Sequence, residues 1–171
     1  FRRFGWFEGD ALLDILRCIV GEKTGKKKAT FRELRAQGFL DLHVFSTDLS
    51  TGEVRDLSFD TTPDLEVALA ARMSGSFPLF FAAIERDRDW FVDGGVVENY
   101  PVDTFDSKEG LNPETLGFVL FDTGQVAPRR DLRNLVDYTR SLVDTILSVQ
   151  VQDLENDPAN LERTVILNDL G

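Results

Sequence analysis

The hydrophobic pattern switches repeatedly between helical and strand-like periods. Leu12, Leu13, Leu16, Ile19 and Val20 recur near a 3.6-residue period, which predicts a first helix with Asp10 as its N-cap. Residues 21–28 interrupt it, and the run Lys26, Lys27, Lys28 reads as a solvated loop. Thr30-Phe31-Arg32-Glu33 has the spacing of a capping box, which predicts a short helix ending near Gly38. Leu40, Leu42 and Val44 then alternate with Asp41, His43 and Phe45, a period of two that predicts a strand over residues 40–47. A turn follows at residues 48–52, and Val54, Leu57 and Phe59 predict a second strand ending at Asp60.

Thr62-Pro63 reads as an N-cap followed by a proline in the first helical position. The helix it opens would show Leu65, Ala68, Leu69 and then Arg72 or Met73 on its apolar side, and residues 74–78 would end it. Residues 80–84 and 90–92 read as a hairpin around the charged turn 86–89. A short helix is expected after Tyr100-Pro101-Val102. The run 116–121 is nearly all apolar, as in a strand buried on both faces. A long amphipathic helix is expected over residues 131–154, with Leu135, Leu142, Ile146 and Val149 on one side, and a last strand over 164–167. This alternation predicts a single α/β layer domain over residues 1–171.

Composition narrows the functions. At 171 residues, 42% hydrophobic and 29% charged, the chain can bury a sizeable core. Its net charge of −11 argues against a nucleic-acid partner and against long-range attraction to an anionic membrane. Contact with a membrane through an apolar patch remains compatible with it. Cys18 is the only cysteine, so no intrachain disulfide forms. No cofactor is expected, and no cluster has metal-ligand spacing. The opening Phe1-Arg2-Arg3-Phe4-Gly5-Trp6-Phe7 has neither an initiator Met nor a signal-peptide pattern and reads like the interior of a longer protein.

The candidate chemistry lies at residues 90–101. Trp90, Phe91 and Val92 read as a strand that ends in Asp93, and Gly94-Gly95 stop it. Open α/β sheets carry their chemistry at such strand ends. An Asp before two glycines also stabilises its own turn. The stretch Ala70-Ala71-Arg72-Met73-Ser74-Gly75-Ser76-Phe77-Pro78 lies just upstream, and Asn99-Tyr100-Pro101 just downstream. Together these resemble the patatin-like phospholipases and lipid acyl hydrolases. Residues 9–13, 47–52, 115–120 and 163–166 are similar to further stretches of that family.

The resemblance implies a three-layer α/β sheet with helices on both faces, incomplete in this chain. It implies a Ser–Asp dyad acting on phospholipid or other lipid acyl esters, with Asp93 as the base. Phe77, Pro78, Gly94, Gly95 and Asn99 would line the substrate site. The family's Gly-x-Ser-x-Gly elbow is not among these residues, so no nucleophile is expected in this chain. Ser74 and Ser76 follow a helix rather than a strand and are expected to satisfy its last carbonyls. The serine would belong to an upstream segment, itself a structural partner, whose loss would leave an open gap beside the strand 40–47. The expected partners are a lipid ester and, transiently, a membrane surface, with a cytoplasmic or peripheral location. His43 precedes Asp93, which does not fit the order of an α/β-hydrolase triad. A catalytically silent lipid- or protein-binding module is the alternative reading.

Overall fold

The computed structural model describes residues 3–98, 100–121, 134, 137–138, 141–142, 145 and 157–168. The architecture is mixed α/β, in two compact units, Phe1–Glu98 and Asn99–Gly171.

The first unit runs β1 (Gly5–Phe7), α1 (Asp10–Thr24), α2 (Phe31–Ala36), β2 (Val44–Asp48), β3 (Glu53–Leu57), α3 (Val67–Ser74), β4 (Leu79–Phe81), β5 (Ile84–Arg86) and β6 (Asp89–Asp93). Four strands form an antiparallel sheet in the order β3-β2-β6-β5. β1 and β4 pair in parallel as a separate ribbon. The register sets Leu57 opposite Val44 and Phe91 opposite Ile84. Leu57 and Phe91 join Phe31, Leu65, Val67, Ala70 and Met73 in the core, with Val44 and Ile84 packed against it. α3 packs on β2, β6 and α1. Val67, Ala68, Ala70, Arg72 and Met73 are all buried, so α3 is enclosed around most of its circumference rather than along one stripe.

Several boundaries differ from the sequence pattern. α1 has Gly9, not Asp10, at its N-cap position, and it continues through Gly21 to Thr24. An interior glycine costs about 1 kcal/mol and is tolerated; here the Lys27 side chain lies over the bare Gly21 backbone. Residues 40–43 are not in a strand, and Leu40 is 92% exposed. β2 begins at Val44 because its partner β3 ends opposite, at Leu57. α3 begins at Val67 rather than after Thr62. The Pro63 and Leu65 carbonyls accept the Arg32 and Phe31 N–H groups of α2's first turn, which holds this stretch out of helix. The expected strand 80–84 is divided between β4 and β5, with Ala82 and Ala83 buried between them. The hairpin turns on Asp87 and Arg88, both with positive φ (54° and 80°), as a two-residue type I′ turn requires. The open gap expected beside residues 40–47 is not found at residues 46–48 among the described residues: β2 has β3 on one edge and, at Ser46–Asp48, β6 on the other.

The capping box is as expected. Thr30 Oγ1 accepts the Glu33 N–H, and the Glu33 carboxylate accepts the Thr30 N–H. At the β2–β3 turn, Asp48 is fully buried and accepts from the Ser50 N–H and the Thr51 hydroxyl, with Arg55 alongside. Burial opposes its charge, yet these donors outweigh burial and hold the carboxyl below its ordinary range.

In the second unit, β7 (Gly117–Phe121) and β8 (Thr164–Asn168) pair in parallel, with α4 (Pro158–Glu162) just before β8. Arg163 grips Asp106 in a bidentate pair at 2.5 and 2.6 Å. The Tyr100 hydroxyl lies 2.8 Å from Thr164 Oγ1. Residues 102–105 form turns instead of the expected short helix, with the Thr104 hydroxyl on the Pro101 carbonyl. β7 is not buried on both faces: Val119 is 7% exposed and Phe118 is 60% exposed, so one face of the strand is open. Most of the expected helix over 131–154, including Leu135, Ile146 and Val149, lies outside the described residues, although Asp137, Tyr138, Ser141, Leu142 and Thr145 are helical. Among the described residues, no helix is long and apolar enough to cross a membrane.

Candidate active site

Asp93 is the last residue of β6 and the N-cap of a 3-10 turn, Gly94–Val96. It pairs across the sheet with Ser46 of β2. Its Oδ1 accepts the Gly95 N–H at 2.9 Å, so the turn-stabilising role is real. Its backbone N–H donates to the Ser76 carbonyl at 3.0 Å, tying the strand end to the end of α3. The carboxyl is half-buried. Burial pushes it above the ordinary carboxylate range, against the smaller opposing pull of the Gly95 N–H.

Gly94 is a glycine for want of space. A Cβ there would stand 2.5 Å from the Phe45 carbonyl oxygen of β2. The close approach lets two β2 side chains reach the backbone around Asp93. Ser46 Oγ donates to the Val92 carbonyl at 2.7 Å, and Thr47 Oγ1 donates to the Gly94 carbonyl at 3.3 Å. Both hydroxyls are fully buried.

Arg72 is fully buried as well. Its guanidinium donates to the Glu8, Gly9 and Ala82 carbonyls at 2.9, 3.3 and 3.3 Å and to Ser76 Oγ at 2.5 Å. It also lies over the Phe81 ring, 4.9 Å from its centre. Burial lowers its pKa, opposed by the nearby Asp10 carboxylate. Gly9 has φ of 78°, and any side chain there would collide with this guanidinium. Sequence periodicity had placed Arg72 only at the end of a helical face. The usable signal was Ser76 four residues on, one helical turn away, able to meet the guanidinium.

Ser76 Oγ donates to the Arg72 carbonyl at 2.7 Å, satisfying the end of α3 as expected of it. Phe77 and Pro78 follow directly and are half-buried between α3 and β4. Asn99 lies outside the described residues. His43 Nδ1 sits 2.9 Å from Asp56 of β3. A cavity of about 460 Å³ opens in the first unit against Met73, Leu57, Phe91 and Arg86, and its lining does not include Asp93.

These observations define an α/β protein with a half-buried carboxylate at a strand end, held against the end of an enclosed helix. Residues 1–106 match the model of the patatin-like phospholipase family, and the chain belongs to that family. It is 31% identical over 154 residues to the uncharacterized protein YqhO of Bacillus subtilis, covering 84% of this chain and 50% of YqhO. It is 25% identical over 99 residues to the probable lipid hydrolase 463L of Invertebrate iridescent virus 6, covering 58% of this chain and 34% of that protein. The fold is similar to the crystal structure of VipD from Legionella pneumophila, with a TM-score of 0.50 at 17% identity over 84% of this chain and 30% of VipD. The chain spans half or less of the length of the curated relatives it matches.

Proposed function

We propose that the intact protein is a lipid acyl ester hydrolase in which Asp93 is the general base for a serine supplied outside residues 1–171. The observation that carries this reading is the state of Asp93. It sits at a strand end, burial raises its pKa, and only Oδ1 has a protein partner among the described residues. A free Asp titrates near ~4 and is a poor base at neutral pH. A raised pKa makes it a better one.

In this mechanism the serine Oγ attacks the ester carbonyl as its proton passes to Asp93. The tetrahedral oxyanion collapses, and the leaving alcohol takes that proton from Asp93. Water then gives a proton to Asp93 as it attacks the acyl-serine, and the serine recovers the proton as the fatty acid departs. Membership of the family and the name of the viral relative support a lipid substrate. Apolar surface is available for it: Phe7 and Phe80 stack on the β1–β4 ribbon, and Phe4 packs edge-on against Trp90. A phospholipase A type of cleavage belongs to the same proposal.

A catalytically silent module is the second reading, favoured by the bond from Gly95 to Asp93 Oδ1. The test uses the intact protein, a phospholipid and a soluble ester. Asp93→Asn lowers turnover by about 10²–10⁴-fold, while His43→Gln keeps it. A fluorophosphonate probe labels one serine of the wild type. Wild-type turnover by Asp93→Asn removes the aspartate from the mechanism. A wild type that neither turns over ester nor takes the probe establishes the silent module.

A further inference from the structure

Six polar or charged side chains are buried among the described residues: Ser46, Thr47, Asp48, Ser58, Arg72 and Ser76. Asp48 and Ser58 serve their own turns. Of the other four, Ser46 and Thr47 reach one short piece of backbone, residues 92–94, and Ser76 and Arg72 stand behind it. Ser46 holds the Val92 carbonyl, the Ser76 carbonyl holds the Asp93 N–H, and Thr47 holds the Gly94 carbonyl. Arg72 fixes Ser76 from behind through Oγ.

We infer that Ser46 and Thr47, with Ser76 and Arg72 behind them, are positioning residues that fix the Asp93 carboxylate for proton transfer. The inference rests on the reading of Asp93 as the base. Alanine at 46 and valine at 47 would fill nearly the same space without desolvating a hydroxyl. A sheet needs no hydroxyl to hold its own ladder, since backbone groups already pair. Three successive residues gripped by groups from β2 and from Ser76, just past α3, leave the peptide carrying Asp93 little freedom to tilt. With Oδ1 held by the Gly95 N–H, the remaining oxygen takes a set orientation. Proton transfer is steep in geometry, and a misplacement of about 1 Å costs on the order of 100-fold in rate.

The Thr47 pair separates positioning from packing. Thr47→Val keeps the volume and removes the hydroxyl; Thr47→Ser keeps the hydroxyl and removes a methyl. Kinetics on a soluble p-nitrophenyl ester and thermal melts are measured on the intact protein. Ser46→Ala and Thr47→Val lower kcat by about 10–100-fold with KM little changed, and Thr47→Ser restores most of it. Wild-type kcat in both hydroxyl-free variants, beside an inactive Asp93→Asn, overturns the inference and leaves the base in place. A Thr47→Ser variant as slow as Thr47→Val also overturns it, in favour of packing. An active Asp93→Asn overturns the base and the positioning together. Should Ser46→Ala fail to fold, the Thr47 pair alone decides.

Discussion

Asp93 carries two demands in opposite directions. Its turn asks for a charged acceptor toward Gly95, while its half-buried place penalises that charge. Burial prevails, so the folded-state pKa is raised. In the proposed mechanism the ionised form is the base. Activity should therefore fall on acidification through a pKa above the ordinary aspartate range of about 4, and kcat/KM against pH will report it. Stability has the opposite sign. The ionised form is disfavoured in the fold, so the contribution of Asp93 is present below its unfolded pKa and lost as pH rises through its folded one. Asp93→Asn should then melt higher than wild type at pH 7, and the difference should shrink below pH ~4. Calorimetry at the two pH values checks it; equal gaps at both would contradict the assigned shift.

At the scale of elements, the end of α3 is joined to β1, β4 and β6 through one cation and one carbonyl. Arg72 supplies donors to three backbone carbonyls from two loops. Arg72→Met would leave several of them unpaired, at about 1–3 kcal/mol each. Urea unfolding should show a loss of about 3 kcal/mol or more by that reckoning. Arg72→Lys should not rescue it, because an ammonium cannot reproduce the planar fork. The β2–β6 contact depends on Gly94. Gly94→Ala forces its Cβ into the Phe45 carbonyl, and a backbone shift of that kind costs about 1–3 kcal/mol. Hydrogen exchange should rise first at residues 45–48 and 91–94; protection unchanged there would mean that the strands do not approach so closely.

For the whole molecule, charge and aromatic surface act against each other. The net charge of −11 repels anionic lipid. Trp6, Phe7 and Phe80 are 55%, 53% and 48% exposed and present apolar rings. Residues 1–171 should therefore bind zwitterionic vesicles more tightly than anionic ones at low salt. The gap should close near 1 M salt, where the screening length falls to about 3 Å. Trp6→Ser combined with Phe80→Ser should weaken both. Vesicle flotation at two ionic strengths measures this, and a preference for anionic lipid would exclude the aromatic surface as the contact.

Much of the element pattern was legible from local chemistry. The α2 capping box, the turn between β5 and β6, the β6, β7 and β8 strands and the stop at Asp93 all follow from propensities within a few residues of each feature. The family resemblance rests on the motifs at 70–78 and 93–101. Local chemistry did not reveal the start of α3, because carbonyls at 63 and 65 are claimed by α2, a partner about thirty residues away. It did not reveal the two-sided pairing of β2, since strand neighbours are chosen by the register of the whole sheet. Nor did it reveal that Ser46 and Thr47 reach residues 92–94, with Ser76 and Arg72 behind them. Sequence by itself determined the Thr30–Glu33 cap, the turn at residues 87–88 and the stop at Asp93, because those preferences are local, whereas the expected caps at Asp10 and Thr62 and the alternation at 40–43 gave way to the fold. Tertiary structure alone decided which buried polar groups find each other, because a desolvated hydroxyl or guanidinium must take its partner from whatever the fold brings within hydrogen-bonding distance.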